Sequence, residues 1–549
     1  MGDTQCRKSY LGFDFSTQQL KAVAVNDTLE VISEATVHFD SELPEFRTVG
    51  GVNRHEKSHV VTACPLMWIK ALDLVIEKLK ITGFDLSTVQ AISGCGQQHG
   101  SVYWKKGANE VLKNLDPNKF LHTQLQDVFS IRESPVWMDS STTKQCKQLE
   151  DAVGGPENLA TITGSRAYER FTGSQIAKIF QTRQENYMNT ERISLISSFA
   201  ASLFLGDYAA IDFSDGSGMN LLDINTRQWH QACLDACAPN LSEKLGEPVS
   251  SSHILGFISA YFVERYGFRE DCRVVAFTGD NPASLVGTCL NEGDMTISLG
   301  TGDTLFVWLP HATSTLNGHV FINPLNDTQF MGMICYKNGS RTRERLRDQC
   351  AESSWHLFSE LLNSTPRGNF GNIGFYFDFR EIYPLKIGDY RFNKFNQRIA
   401  RFSNEVEVRA CVEGQFLRFR VHAHNLGFEL SNKTRIIATG GASCNQAILQ
   451  VAADIFNANV YTSKQVNSAC LGAAFMAKYG KCHKKTSNSH KFLNLSALVK
   501  DEISFSEMVS EMSKIAEPLS TTPAKDANVV YFPMVQRYKQ IEDELNTEN

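Results

Sequence analysis

No apolar run in this sequence is long enough to cross a bilayer; the richest, SFAASLFLG at 198–206, falls well short of a spanning helix. The opening residues, MGDTQCRKSYLGFDFS, lack the apolar stretch of a secretory leader. Cys6 stands where a myristoylation pattern requires Ser or Thr. Positive charge is not in surplus: 54 Lys and Arg face 60 Asp and Glu, a net charge of −6. That balance argues against nucleic acid or an anionic membrane as partner. Cysteine is plentiful, at fourteen, but never clustered. The closest pair, Cys233 and Cys237, is a lone CxxxC spacing, weak for zinc. The expectation is a cytoplasmic protein with reduced, mostly buried thiols, acting on a small molecule as a monomer or small homo-oligomer.

Familiar phosphate cradles are missing too. The sequence contains no GxxxxGK[ST], so it has no P-loop. GCGQQHG at 94–100 spaces its glycines as GxGxxxG, not as the GxGxxG of a dinucleotide fold. Asp14-Phe15-Ser16 echoes a protein-kinase DFG but lies at the N-terminus with no HRD motif before it. Any nucleotide must be held by other means.

What is present reads as α/β. At 549 residues the chain is long enough for two or three cores. Short apolar strands alternate with longer helical stretches up to about residue 290. SYLGFDF, STQQ and LKAVAV predict strand, tight turn and strand over 9–25, and VISEATVHF at 31–39 a third strand. Apolar spacing predicts a helix within 60–81 and a polar, partly helical excursion over 105–131. The hairpin layout then recurs in MTISLGTGDTLFVWL at 295–309, which suggests two related halves, 1–290 and 291–549, with the boundary at 288–294. A cleft between them would be the ligand site. In the second half, RIIATGGAS enters a double-glycine turn, and Asn445 to Phe456 follows as a helix. SACLGAAFMAKYG at 468–480 predicts a tightly packed helix, and Met534, Tyr538, Ile541 and Leu545 the stripe of a last one. Between these helices, 481–525 includes a Lys/Ser/Thr-rich surface stretch, predicted to be mobile.

Chemistry concentrates at the turns. Gly, Ser and Thr in the two hairpin turns expose successive backbone N–H groups that converge on phosphate oxygens. Asp14, ending the first strand, is placed to hold a hydrated Mg2+. Thr439-Gly440-Gly441-Ala442, with Asn445, gives a bare backbone surface for a flat base and ribose. VVAFTGDNPASLVG at 274–287 puts Asp280 where a strand, Val274 to Phe277, meets a helix expected to start at Pro282. Asn281 alone would satisfy that helix as its cap, leaving Asp280 as a nearby loop acid or as a group with its own task.

DFST from Asp14, QQHG at 97–100, PVWMDSS at 135–141, FTGDN at 277–281, SLGTGDT at 298–304 and ATGGAS at 438–443 occur in that order. Together they resemble the FGGY carbohydrate kinases. With GSRAYERFTG at 164–173 and the long 105–131 insert, the likeness is greatest to the animal-type members that phosphorylate D-xylulose. The resemblance implies two actin/Hsp70-like (ribonuclease H-like) domains, ATP and Mg2+, and transfer of the γ-phosphate to the C5 hydroxyl of the ketose. It implies Asp280 as general base, with His99, Arg170 and Asn281 on the sugar and Trp137 as a wall. On the nucleotide it implies Asp14, Thr17, Gly300, Thr301, Trp355, Gly440, Gly441, Ala442 and Asn445, with Asp14 also on the metal. Gly302 departs from the family's LGTS, removing one hydroxyl, on the order of 1 kcal/mol. Another sugar or polyol, such as ribulose or gluconate, and a non-catalytic sugar- or nucleotide-binding scaffold stay open as alternatives.

Overall fold

A computed structural model describes residues 8–55, 58–431, 433–462, 467–482, 504–509 and 518–547. Most of the predicted mobile stretch at 481–525 lies outside these residues. The chain forms two compact units. The first gathers the described residues of Met1–Cys289, Phe321–Thr328 and Asn467–Met512; the second gathers those of Leu290–Val320, Gln329–Val466 and Ser513–Asn549. Sequence reasoning placed one crossing near 290 and none of these returns.

In the first unit, β1 (Ser9–Phe15), β2 (Gln19–Asn26) and β3 (Val31–His38) form an antiparallel meander, and β1 pairs in parallel with β4 (Val89–Gly96). β5 (Ile254–Phe257) and β6 (Arg273–Val275) complete the order β5-β6-β4-β1-β2-β3. Every residue of β1 is buried, as a strand covered on both faces must be. Leu11, Phe13 and Phe15 share a core with Trp68, Leu72 and Ile76 of helix α1 (Pro65–Ile81). Tyr10 joins Val23, Ala474 and Phe475 in the core on the other side. The helix expected within 60–81 starts only at Pro65, because the β-branched Val60, Val61 and Thr62 extend as a strand, Val60–Ala63.

The small-residue segment at 468–480 is indeed a helix, α2 (Ser468–Cys482), and it belongs to this unit. A Cβ on Gly12 would lie 2.4 Å from backbone atoms of Ala474 and Cys470. One on Gly472 would lie 1.9 Å from the Ala283 carbonyl oxygen. Only glycine permits backbones this close.

The second unit repeats the plan. β7 (Met295–Leu299), β8 (Asp303–Leu309) and β9 (Phe330–Tyr336) are antiparallel, and β7 pairs in parallel with β10 (Arg435–Thr439). β11 (Asn459–Thr462) and β12 (Leu519–Thr521) extend the sheet. β4 and β10, the parallel neighbours of the two hairpins, are the strands that feed the QQHG loop and the TGGA turn. The last helix spans Ala527–Thr547 and buries Met534, Tyr538, Ile541 and Leu545, the predicted stripe.

Candidate active site

The sugar-side candidates gather at the ends of β4 and β6 in the first unit. The buried strand expected over Val274 to Phe277 ends at Val275; a two-residue strand, Thr278–Gly279, then continues beside Cys95 and Gly96 of β4. The helix starts at Asp280 itself (Asp280–Gly287), with Gly279 as its cap residue and no side-chain cap. Capping therefore explains neither Asp280 nor Asn281, and Pro282 is the third helical residue. The Asn281 amide instead donates to Gln98 Oε1 at 2.9 Å and to Asp280 Oδ1 at 3.1 Å. The Gln98 N–H reaches the same Asp280 oxygen at 3.3 Å.

Burial, helped by the negative charge of Asp14, pushes the Asp280 carboxyl up to about 7. A helix N-terminus favours a carboxylate by less than about 2 kcal/mol, and here desolvation wins. Asp14 is buried on β1, takes a contact from Cys95 Sγ at 3.5 Å, and is itself raised by burial. Two nearby carboxyls that each resist ionisation form a place where a cation is favourable.

His99 has φ +71°, and its ring is buried, stacked on Phe171 at 4.4 Å. Burial and the neighbouring Arg170 hold it down to about 3, so it is neutral. Its Nδ1 lies 2.8 Å from the Gly218 carbonyl, which only accepts. Nδ1 therefore bears the proton, and Nε2 is an acceptor. Arg170 lies 5.0 Å over Tyr168 and 5.6 Å over Phe171, on the aromatic stack that holds His99. Trp137 is 42 % exposed, and its indole N–H donates to the Thr17 hydroxyl at 2.9 Å. That hydroxyl donates in turn to Gln97 Oε1 at 3.3 Å, so its proton is committed.

Three further participants, none of them among the residues expected from sequence, stand here. Gln98 links Asp280 to the buried Asp215, and Gln97 keeps an unpartnered Nε2 among the described residues. The QQHG motif held both glutamines; Asp215, among small residues in IDFSDGSG, gave no signal.

In the second unit a cavity of about 650 Å3 is lined by Gly300, Thr301, Trp355, Gly441, Ala442 and Asn445, together with Ser340 and Glu344. Trp355 opens a helix (Trp355–Ser364) and is 37 % exposed, with the Arg347 guanidinium 4.8 Å over its ring. It is a wall, not core. Gly441 has open space where a Cβ would go, whereas one on Gly440 (φ +84°) would lie 2.5 Å from the Leu299 carbonyl. Gly440 makes the turn, and Gly441 faces the cavity. Asn445 caps the next helix, which therefore spans Gln446–Phe456: its Oδ1 accepts from the Ile448 N–H at 3.2 Å, and its amide donates to Ser359 at 3.0 Å. The Gly300 carbonyl accepts from the Ser340 N–H at 2.8 Å. Behind the turn, Asp303 pairs with the fully buried Arg343 at 2.7 and 3.0 Å.

Two α/β units built on one plan, each with a glycine-bearing hairpin, define the actin/Hsp70-like sugar-kinase fold. Solved structures agree: a xylulose kinase from Rhodospirillum rubrum superposes with TM-score 0.78 at 14 % identity, over 98 % of this chain and 99 % of that one. A gluconate kinase from Lactobacillus acidophilus gives 0.77 at 16 %, over 99 % of each. The chain belongs to the FGGY family of carbohydrate kinases. Its residues 126–287 match the family's N-terminal domain and 295–480 its C-terminal domain. It is 53 % identical to a xylulose kinase of Rattus norvegicus, over 99 % of this chain and 98 % of the relative. Xylulose kinase 2 of Arabidopsis thaliana is 46 % identical, over 98 % and 97 %. The protein is thus an ATP-using carbohydrate kinase. No described helix is long and apolar enough to cross a membrane.

Proposed function

We propose that the protein transfers the γ-phosphate of ATP to the C5 hydroxyl of D-xylulose, releasing D-xylulose 5-phosphate and ADP. The observation that carries this reading is Asp280: a carboxyl pushed up to about 7, grouped with neutral acceptors, in a carbohydrate kinase. The choice of sugar is supported by full-length likeness to animal and plant xylulose kinases.

A sugar hydroxyl is a poor nucleophile. Asp280 takes its proton as the new O–P bond forms and the bond to ADP breaks, a contribution of roughly 100- to 10,000-fold. A base with a pKa near neutrality suits that transfer. Asn281 and the Nε2 of His99 accept hydrogen bonds from other ketose hydroxyls, and Arg170 donates one. Trp355, Gly441 and Ala442 flank the adenosine, and the backbone of Gly300, Thr301 and Thr17 meets the phosphates. Asp14, beside Asp280, would hold a hydrated Mg2+, which when bound neutralises charge on the phosphates. Free, mostly buried thiols fit a cytoplasmic setting.

The test is coupled ADP release by wild type and Asp280→Asn over D-xylulose, D-ribulose, L-xylulose, gluconate and glycerol. Strong turnover with D-xylulose, lost by orders of magnitude in the variant while xylulose still binds, is expected. Activity on another sugar alone overturns the substrate. No stimulation by any sugar, in a folded protein that binds ATP, overturns catalysis.

A further inference from the structure

We propose that Asp215 is a positioning residue that fixes the Gln98 and Asn281 amides, so that Asn281 presents only an acceptor oxygen to the ketose. The inference rests on the reading above, in which Asp280 and Asn281 face the sugar.

Asp215 is buried in the short helix Phe213–Gly216 and lies directly behind the turn that carries Asp280. A Cβ on Gly279 would lie 2.7 Å from Asp215 Oδ1 and 2.4 Å from Gln98 Cγ, so the three groups are packed against one another. The Gln98 amide nitrogen donates to Asp215 Oδ1 at 3.4 Å. This turns Gln98 Oε1 the other way, where it accepts from Asn281 Nδ2 at 2.9 Å. The second N–H of Asn281 goes to Asp280 Oδ1 at 3.1 Å. Both Asn281 donors are then used, and its carbonyl oxygen is what remains for a ligand. An acceptor at Asp215 thus sets the polarity of a side chain two hydrogen bonds away.

Burial raises the Asp215 carboxyl well above its ordinary value, and Asp212 and Asp280 beside it act in the same direction. Oδ2 accepts from the Ser197 hydroxyl at 2.5 Å, and that hydroxyl can turn to accept instead where its partner carries a proton. A proton on Oδ2 leaves Oδ1 as the acceptor for Gln98. Asparagine reproduces that arrangement, with oxygen in place of Oδ1 and NH2 in place of the protonated Oδ2. Leucine keeps the volume and removes the acceptor.

The experiment compares Asp215→Asn, Asp215→Leu and Gln98→Leu in the full chain. The readouts are kcat and KM for D-xylulose, KM for ATP, and the xylulose Kd by calorimetry without ATP. The Asn variant is expected within about threefold of wild type throughout. The two Leu variants should raise xylulose KM and Kd at least tenfold, with kcat changed less and ATP KM unchanged. Their combination should be no worse than either alone, since both break one chain of contacts. An Asn variant as impaired as the Leu variant overturns the proposal, because charge would then matter and not the acceptor. So does an Asp215→Leu protein with unaltered KM and Kd, or one whose ATP KM rises in parallel. Full xylulose turnover by Asp280→Asn sinks the base assignment instead, and wild type that neither binds nor turns over xylulose sinks both.

Discussion

At Asp280, function and stability pull in opposite directions. Its carboxyl titrates near 7 in the folded protein against 3.8 for the ordinary value, so folding binds a proton between those limits. The resulting penalty is absent below about pH 4, grows as pH rises, and is complete above about pH 7. Asp280→Asn removes the charge. Thermal unfolding should therefore find it more stable than wild type at pH 8, by on the order of 1–3 kcal/mol, with the gain shrinking at pH 5. A variant less stable at pH 8 would refute the raised carboxyl. The same titration predicts that kcat/KM falls as pH drops through about 7, because the protonated form cannot accept the substrate's proton. For His99 the prediction concerns polarity. Its ring is neutral with Nε2 as acceptor, so a ketose bearing fluorine for the hydroxyl it meets should lose affinity about as much as the deoxy analogue. Isothermal titration with paired fluoro and deoxy ketoses reads this directly. A tolerated fluorine would mean that Nε2 carries the proton.

The hairpins show what sequence makes legible at the scale of elements. Tight turns between β-branched and aromatic residues announce themselves locally, and so both hairpins were readable, as was the plan they repeat. The helix start at Asp280 was not. Asn281-Pro282 has the composition of a cap, and only the tertiary pull of Gln98 on the Asn281 amide shows why it does not act as one. Gly302 is a further case. From sequence it is a lost hydroxyl; in the structure a Cβ there would lie 2.6 Å from the Tyr336 carbonyl at the end of β9. Glycine follows from how β8 and β9 pack. Gly302→Ser should therefore not tighten ATP binding. It should lower thermal stability by about 1–3 kcal/mol and raise KM for ATP, because the turn must move to admit the side chain. Gly441→Ala, at an open position lining the cavity of the second unit, should leave stability within about 0.5 kcal/mol of wild type and raise KM for ATP alone. Steady-state kinetics beside thermal unfolding separates the two. A stable Gly302→Ser protein with tighter ATP binding would restore the simple missing-hydroxyl account.

Across the whole molecule, the order of the chain and the order of its cores differ, and this was the part least open to sequence reading. Periodicity identified 468–480 as a packed helix, but nothing local says which core it packs into, because that depends on contacts with β1 and with the helix headed by Asp280, both far earlier in the chain. The answer lies in pairs of small residues: Gly12 against Cys470 and Ala474, and Gly287 and Ala283 against Gly472. Through them α2 braces both β1, which carries Asp14, and the helix headed by Asp280. A protein truncated after residue 462 lacks this helix, together with Phe505 and Val509 of the same core and with β12 and the last helix of the second unit, although every strand of its first sheet is present. The expectation is that such a fragment loses amide protection over residues 9–26 and 273–287, because Tyr10, Val23, Val25 and Val275 lose the buried partners Cys470, Ala474 and Phe475. Removing several large buried contacts of this kind costs several kcal/mol, a large share of a domain's margin. Hydrogen exchange on the truncated and full chains measures the effect segment by segment. Protection retained at β1 and at residues 280–287 would show that the first unit is complete without its returning helix. Protection lost there would locate the support of Asp14 and Asp280 in a segment that the chain delivers only after passing through most of the second unit.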